Sequence, residues 1–278
     1  MRENKRSFRR LFSLYLPLFI MLIFLLFPFY WMIVTSLKSD SELYSSTVTY
    51  WPKLPILDSY HKLFTDFNFL HPMGNSLIVA ICTTIISLAV STLAAYAFSR
   101  FRFKGKKGFM MLFLTNNMFP TVLLLIPLYS IMRSMNLLYT PMSLVFSYTT
   151  FTIPFSVWLL NGYLNDLPIS LEEAAQVDGC NQAQAFLKIV LPVLVPCIVA
   201  TGIYIFMNSW NEYTFAVMFT NENNRTIPVA LNNLIGENGV QWGLLTAGGV
   251  ITVLPVCVMF FFAQKRLVAG LTAGAVKG

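Results

Sequence analysis

Long apolar runs without a charged side chain recur along the whole 278-residue chain. An α-helix needs about 20 such residues to cross the hydrocarbon core of a bilayer. The charge-free windows are 11–37, 67–99, 108–132, 134–165, 189–211 and 238–264. They predict an all-α integral membrane protein with six transmembrane helices, which lie near 13–36, 76–98, 109–131, 141–163, 189–210 and 244–263.

Composition agrees with this class. Hydrophobic residues make up 56% of the chain and charged residues only 11%, whereas a soluble domain usually carries roughly 25% charged residues. So few charges do not cover a water-exposed surface of this size, which argues against a soluble enzyme. We interpret the net charge of +7 as a signal of membrane topology, and we expect no nucleic acid partner.

Lys and Arg are divided unequally between the two sides of the predicted membrane. Fourteen lie in the N-terminal tail, in the loops after the second and fourth spans and in the C-terminal tail, and five lie on the other side. Cytoplasmic segments carry the excess of Lys and Arg in membrane proteins. The distribution and the even number of spans therefore predict that both termini are cytoplasmic and that residues 264–278 form a cytoplasmic tail.

Candidate chemistry inside the spans is limited to neutral polar side chains. Such side chains either bind a polyhydroxylated solute such as a sugar or join helices to one another. The candidates for a translocation path are Asn116, Asn117, Tyr148, Thr149, Thr152, Asn208 and Asn211. No Asp, Glu or Lys lies inside a predicted span, whereas ion-coupled carriers and channels usually keep ionisable groups there. Because the chain has only two His, an intramembrane enzyme and a His-rich metal site are also disfavoured.

The loop over residues 165–188 is cytoplasmic by this topology, yet it is acidic. Ser170 followed by Glu173 forms the pattern of a capping box, which predicts that a helix begins there. Gly179 can adopt the left-handed conformation that ends a helix. A second helical run is predicted over Gln182–Val190. We therefore predict a short helix, a sharp turn and a second helix.

The spacing of residues in this loop resembles that of a known family. Glu173-Ala174-Ala175, three residues, Gly179, nine residues, Ile189, one residue and Leu191-Pro192 match the EAA loop of bacterial ABC-importer permeases without a gap. Other stretches are similar to the maltose-permease, G-type subunits of the carbohydrate-uptake class. These stretches are Thr35–Lys38, Gly74–Leu77, Ala94–Arg100, Ser209–Tyr213 and the tail Ala269–Gly278. The resemblance covers almost the whole chain.

The resemblance implies that the loop carries a cytoplasmic coupling helix, between the fourth and fifth spans, that docks in a groove on an ATPase subunit. The residues that it assigns to ATPase coupling are Ser170, Glu172, Glu173, Ala174, Ala175, Asp178 and Gly179. The chain contains no GxxxxGK[ST] phosphate loop, so we expect no cofactor on this chain, and ATP and Mg²⁺ on the partner ATPase. Closure of the ATPase would then move the fourth and fifth spans, which flank the loop.

The resemblance also implies a location and partners. The chain would lie in the bacterial inner membrane as one permease domain over 1–278, with a first helix over 13–36 and core helices over 76–263. A second, homologous permease chain would complete a heterodimer that imports a sugar or oligosaccharide. Two copies of an ABC ATPase and an external solute-binding protein would complete the importer. The candidates for contact with the binding protein are Asn232, Asn233 and Asn238.

Three alternatives remain open at this stage. A permease of the same class could import a non-sugar solute such as a glycerol-phosphate ester. A secondary transporter would need intramembrane ionisable groups or inverted repeats, and neither is visible in the sequence. A purely structural membrane scaffold would not explain the EAA spacing. Outside the membrane, the segment Ser39–Pro72 is expected to form a short cap with one amphipathic helix near Ser59–Phe67.

Overall fold

The structure is a computed structural model that describes the backbone of residues 11–236 and 239–275 and the side chains of residues 13–236 and 239–264. The α-helices, numbered in chain order, are α1 Leu16–Ser36, α2 Asp40–Leu43, α3 Asp58–Thr65, α4 Leu70–Arg100, α5 Lys106–Met118, α6 Leu125–Ser134, α7 Pro141–Asp166, α8 Ser170–Val177, α9 Gln182–Ala185, α10 Leu191–Asn211, α11 Thr214–Phe219, α12 Ile227–Asn232 and α13 Trp242–Ala275. Turns of π-helix, Leu11–Tyr15 and Phe186–Val190, precede α1 and α10, and a 3₁₀ turn, Thr121–Leu124, precedes α6. Two short antiparallel strands, β1 Ile235–Gly236 and β2 Gly239–Val240, pair Ile235 with Val240.

Five stretches of the described chain are long and apolar enough to cross a membrane. They are Ser13–Ser36, Leu70–Arg100, Pro141–Asp166, Gln182–Asn211 and Trp242–Gln264. Each corresponds to one of the predicted spans, so five of the six predictions are confirmed as helices. The side on which the termini lie stays a prediction.

The third predicted span, near 109–131, is wrong as a single helix. Helix α5 and the helical stretch Thr121–Ser134 are bent by 101° relative to each other. The break falls at Phe119, which is extended with a ψ of 131°, because the residue before a proline is disfavoured in the helical conformation. Pro120 itself has no N–H to donate into the preceding turn. The described part of the chain therefore has five candidate spans, or six if the bent pair forms one span.

Helix ends differ from the predicted limits where local chemistry sets them. Helix α7 begins with Pro141 at its first position, where the fixed φ of proline suits a helix and no donor is lost. It ends at Leu167, which is extended with a ψ of 123° and precedes Pro168. The helical backbone of α13 continues through Ala275, over most of the segment predicted as a tail.

The packing of the chain divides it into two compact units. The first unit comprises the described part of Met1–Leu70 together with Leu231–Leu254, and the second comprises His71–Ala230 together with the described part of Pro255–Gly278. The organisation of 1–278 as one permease domain stays a prediction.

In the first unit, the segment after α1 folds back as a cap. Its helix α3 lies within one or two residues of the predicted amphipathic helix, and Leu63 is fully buried. The carboxylate of Glu42 accepts hydrogen bonds from the hydroxyl of Thr49 and from the backbone N–H of Lys53. These bonds, with the approach of Lys38 Nζ to the ring of Trp31 at 4.8 Å, hold the cap together.

The second unit contains two clusters of buried apolar side chains. One cluster lies around Tyr148, Phe215 and Phe219, from α7 and α11. The other joins the C-terminal parts of α4 and α7 to the π turn through Tyr96, Leu160, Leu164 and Phe186, among others. This second cluster supports the acidic loop, because Phe186 lies near the end of that loop and its side chain is buried in the cluster.

Candidate functional site

The acidic loop forms a short helix, α8, which begins at Ser170 as predicted. It ends in the conformation predicted for Gly179, whose φ is +89°. The N–H of Gly179 donates to the carbonyl of Gln176 at 3.0 Å, and the N–H of Cys180 donates to that of Ala175 at 2.9 Å. This pair of bonds is a Schellman motif. The sharp turn between α8 and α9 therefore requires glycine at position 179, at its distance from Glu173-Ala174-Ala175 in the EAA spacing.

The capping box predicted for Ser170 and Glu173 is wrong. The residue at the N-cap is Ile169, no side chain caps α8, and Ser170 already lies inside the helix. A capping box is formed one helix later. The side chain of Asn181 accepts from the N–H of Gln184 at 2.9 Å, and the side chain of Gln184 accepts from the N–H of Asn181 at 3.0 Å. The sequence contained this signal, because Asn is favoured at the N-cap and Gln at the third position.

Helix α8 has two faces with different environments. Glu172 and Ala175, three residues apart, are buried at 4% and 6% exposure. Ser170, Glu173, Ala174, Asp178 and Gly179 are exposed, so five of the seven predicted coupling residues lie on the outer face. Val177 shares that face and is 87% exposed. The exposed part of α8 thus combines carboxylates, small residues and the apolar side chains of Val177 and, less fully exposed, Leu171.

Glu172 binds inside the chain. Its Oε1 accepts from Arg100 Nε at 2.5 Å and its Oε2 accepts from the hydroxyl of Tyr96 at 2.7 Å. The side chains of the ion pair are 8% and 6% exposed. Sequence reasoning missed Tyr96 and Arg100. Their four-residue separation at the end of α4, which puts them on one helix face, was the available signal.

The predicted path residues on α7 lie inside the second unit. Tyr148, Thr149 and Thr152 are buried at 2%, 7% and 4% exposure. The hydroxyl of Thr152 bonds to that of Ser87 at 2.8 Å. Their polar groups join helices or bond to their own helix, and their place in a translocation path stays a prediction. Helix–helix contact is observed for Tyr148, which bonds to Glu212, and for Thr152, which bonds to Ser87.

The predicted amides are placed differently. Asn116 lines a cavity of about 420 Å³ between α5 and α7, with Phe113, Phe119 and Thr150 among its neighbours. Asn117, Asn208 and Asn211 are exposed, and each donates to a carbonyl four residues earlier in its own helix. The structure does not bring these amides together into one site.

Glu212 is a polar anchor that sequence reasoning did not use. Its Oε2 accepts from the hydroxyl of Tyr148 at 2.8 Å. Both carboxylate oxygens accept from the N–H of Phe215, and Oε2 also accepts from that of Ala216 at 3.2 Å. These are free donors of the first turn of α11. Glu212 therefore fixes the break between α10 and α11 to α7.

The predicted contacts for a binding protein lie at the end of α12. Asn232 and Asn233 are exposed there, and Asn238 lies outside the described residues. Among the residues that the structure describes, no three His, Cys, Asp or Glu side chains form a group that suits a metal ion. The absence of a cofactor on this chain stays a prediction.

Comparison with known proteins gives matches over most of the chain. The profile of a family described as binding-protein-dependent transport system inner membrane component matches residues 87–272. The inner membrane ABC transporter permease protein YcjP of Escherichia coli strain K12 is 36% identical over 281 residues, which cover 100% of both chains. The sulfoquinovosyl glycerol transport system permease protein SmoH of Agrobacterium fabrum is 36% identical over 91% of this chain and 89% of its own. The trehalose/maltose transport system permease protein MalG of Thermococcus litoralis is 35% identical over 93% of this chain and 94% of its own.

A solved structure shares the fold. It is a chain of a bacterial ABC transporter involved in the import of the acidic polysaccharide alginate, with a TM-score of 0.77. The match covers 94% of this chain and 97% of the other, at 22% identity. At that identity the likeness establishes the architecture of the chain.

Proposed function

Because the chain belongs to the family of binding-protein-dependent transport system inner membrane components, we propose that it forms one half of the solute path of a sugar importer. The family match confirms the resemblance to ABC-importer permeases, so the chain is an inner membrane permease subunit. The other half of the path is proposed to be a related but distinct chain. ATP and Mg²⁺ are proposed to bind to two copies of a partner ATPase, and no covalent chemistry is assigned to this chain.

One observation carries the coupling proposal. Helix α8 has the EAA spacing and leaves an apolar side chain, Val177, 87% exposed next to the exposed carboxylates of Glu173 and Asp178. An exposed apolar residue within a polar rim is typical of a protein contact. We therefore propose that the outer face of α8 docks on the ATPase, with the termini on the same, cytoplasmic side.

The proposed solute class rests on α7. The most apolar stretch of this helix is less apolar than those of the other four candidate spans, and a larger share of it is buried. A polar helix at the centre of a membrane protein is suited to line a water-filled path. Thr150, Trp158 and Gly162 are exposed on it at four- and eight-residue spacing, which places them on one face.

Two cavities lie along this helix. In addition to the cavity lined by Asn116, there is a second cavity of about 410 Å³. It is lined by Trp158, Leu159, Asn161, Gly162, Tyr163, Asn165 and Asp166. Aromatic rings with a few placed polar groups are typical of sites for small polar ligands. No Lys or Arg is among the described residues that line either cavity. We propose a neutral sugar or oligosaccharide as the solute, and the glycerol-phosphate ester is not favoured.

Names of the relatives are consistent with a sugar as the solute, since one relative is a trehalose/maltose permease and another is a permease of a sulfoquinovosyl glycerol transport system. Sulfoquinovosyl glycerol carries a sulfonate, so these names support the sugar class and not its neutral charge. An external solute-binding protein is proposed to deliver the solute, with Asn232 and Asn233 as contact residues. A structural relative of the chain, a bacterial alginate ABC transporter, is described in complex with an alginate pentasaccharide-bound periplasmic protein.

Disulfide cross-linking tests the docking proposal. The variant Val177→Cys is made in a Cys180→Ser background, because Cys180 is a free, half-buried thiol three residues away. Paired with single cysteines in the ATPase groove, it is expected to give a cross-linked product of the permease and the ATPase. Leu54→Cys, on the external segment and 76% exposed, is the matched control. Labelling of Val177→Cys from outside intact cells would contradict the proposal.

Filling the cavity on α7 tests the solute path. A Cβ on Gly162 meets no atom within 4 Å, and the same is true of Gly108 on α5. Gly162→Leu is expected to lower sugar uptake severalfold without loss of assembly, because the new side chain enters the proposed path. Gly108→Leu is the control and is expected to transport normally. Equal uptake by the two variants would exclude this face of α7 from the path.

A further inference from the structure

We propose that Arg100, together with Tyr96, is a positioning residue that fixes α8 to the C-terminal ends of α4 and α7, so that an ATPase docked on α8 moves both helices as one body. The proposal rests on the docking role proposed for α8. It gives Glu172 a different task from the other predicted coupling residues, because Glu172 would transmit force inside the permease and not touch the ATPase.

The geometry of the guanidinium group supports this role. Arg100 donates through Nε to Glu172 on α8, through Nη1 to the carbonyl of Leu164 at 3.0 Å, and through Nη2 to the carbonyl of Leu167 at 3.2 Å. The two carbonyls lie at the end of α7, where the last acceptors of a helix lack partners within the helix, and that of Leu164 also accepts from the N–H of Leu167 at 3.3 Å. One side chain of α4 thus donates hydrogen bonds to acceptors at the end of α7 and on α8. Only the planar guanidinium group of arginine presents donors in these directions at the same time.

Further hydrogen bonds continue the same junction. Arg100 Nη1 also donates to the hydroxyl of Ser99 at 3.0 Å, and that hydroxyl donates to Asn165 Oδ1 at 2.9 Å. The hydroxyl of Tyr96 occupies the second oxygen of Glu172. Both oxygens of the carboxylate are therefore bound, and α4 is tied to α7 at adjacent positions.

Apolar packing shields the ion pair from water. The ring of Tyr96 packs on that of Phe186, with centroids 4.6 Å apart, and on that of Phe101 at 6.3 Å. The paired side chains are 8% and 6% exposed. An ion pair in such a site is weakly screened by solvent, and removal of one partner leaves an uncompensated buried charge. Helix α8 is therefore expected to swing only together with α4 and α7.

The polypeptide chain itself connects α8 to the fourth and fifth predicted spans, which flank it in the sequence. The contacts of Arg100 add the second predicted span, α4, to the moving body. This is a rigid-body connection between packed elements, of the kind that transmits domain closure.

Hydrogen exchange of residues 170–179 tests the anchor without the ATPase. In the permease pair purified in lipid nanodiscs, Glu172→Gln is expected to raise the exchange rate of α8 about 100-fold, since a buried arginine loses its counter-charge. Tyr96→Phe is expected to raise it less. Arg102→Gln, which changes an exposed charge two residues after Arg100, is the control and should leave the rate unchanged. Unchanged exchange in Glu172→Gln would overturn the anchor.

Transport per ATP tests whether the anchor carries force. In the complete transporter, Glu172→Gln is expected to keep the ATPase bound and hydrolysing, because the outer face of α8 is unaltered, while uptake per ATP falls about tenfold, within the range typical of coupling between sites. Normal uptake per ATP together with fast exchange of α8 would show that the anchor exists but transmits nothing, and would overturn the proposal.

A double variant separates positioning from stability. Arg100→Met with Glu172→Met removes both charges, and an apolar pair in place of a buried ion pair usually folds well. We expect this variant to assemble yet to keep low uptake per ATP, because the directional bonds to Leu164, Leu167 and Tyr96 are missing. If it transported as the wild type does, the ion pair would be a packing feature only. Absence of the Val177→Cys cross-link in the Cys180→Ser background, with Arg100 and Glu172 unchanged, would instead refute the docking proposal and leave the exchange result standing.

Discussion

Two adjacent glutamates show how strongly a single position determines the role of a side chain. Glu172 is buried and paired with Arg100, whereas Glu173 is exposed. Successive residues of a helix point about 100° apart, so one carboxylate faces α4 and the other faces outward. The sequence placed both in the coupling group, because composition does not reveal which face of a short helix is covered.

Gly179 is required for its backbone conformation. A Cβ there meets no atom within 4 Å, but φ is +89°, so the cost of Gly179→Ala is strain of about 1–2 kcal/mol. Hydrogen exchange of α8 should show its local opening free energy lowered by that amount. Gly179→Asn should lose less, because Asn tolerates the left-handed region. Gly162→Ala, at a helical glycine that is equally open, is the control. A Gly179→Ala variant as stable as the wild type would contradict the assignment.

Glu212 is expected to stabilise α11 through its cap and through Tyr148. Glu212→Ala should lower the free energy of local opening of α11 by about 1–2 kcal/mol, the usual effect of losing a cap. Tyr148→Phe removes one of the same hydrogen bonds and should cost about 1 kcal/mol. Because both changes break one shared bond, the double variant should lose less than the sum. Exchange of residues 214–219 provides the measurement, and strict additivity would refute the connection.

At the scale of elements, the predicted and observed structures differ mainly at the ends of helices. The apolar windows locate the helices because apolar length reflects the bilayer. Pro120 lies inside such a window, and its effect was not predicted, because proline inside a span can kink a helix slightly or break it, depending on the neighbours. The conformation of Gly179 was predicted correctly, because few residues other than glycine adopt the positive φ that ends a short helix. The cap at Asn181 was missed because Ser170 offered the same pattern earlier.

A matched pair of alanine variants tests the corrected cap. Asn181→Ala should lower the stability of the turn between α8 and α10 by about 1 kcal/mol, because it removes the acceptor for Gln184 N–H. Ser170→Ala should be neutral within about 0.5 kcal/mol, since no bond from Ser170 caps α8. Exchange rates over 181–190 distinguish the two variants. The reverse order would restore the capping box first predicted at Ser170.

The cap formed by the segment after α1 is expected to respond to acid through Glu42. The hydrogen bond from Thr49 holds the pKa of the Glu42 carboxyl below its ordinary value, assisted by the backbone N–H of Lys53 and by the charges of Lys38 and Lys53, and opposed by partial desolvation. A carboxyl with a lowered folded pKa stabilises the fold above its unfolded pKa and loses that contribution as the pH falls through the folded value. Opening of residues 42–53, corrected for intrinsic exchange, should increase at acidic pH. Glu42→Gln should lack this pH dependence. If opening of residues 42–53 in the wild type were also independent of pH, the result would contradict the account.

At the scale of the whole chain, two polar junctions of the second unit lie at breaks between helices. Arg100 and Glu172 join the elements around the acidic loop, and Glu212 joins α11 to α7. Both carboxylates lie outside the predicted spans, so the search for ionisable groups inside spans did not find them. Sequence reasoning recovered the family from the EAA spacing, but the internal partners of these residues come from α4 and α7, 64 to 76 positions away. Such distant pairings leave no local pattern in a single sequence.

A structure of the assembled transporter with its ATPase subunits tests the central claim most directly. The account predicts that Glu173 and Val177 on the outer face of α8 contact the ATPase, while Glu172 keeps both Arg100 and Tyr96 as partners. An assembly in which α8 is bare, or lies on the side of the membrane opposite the ATPase, would contradict it.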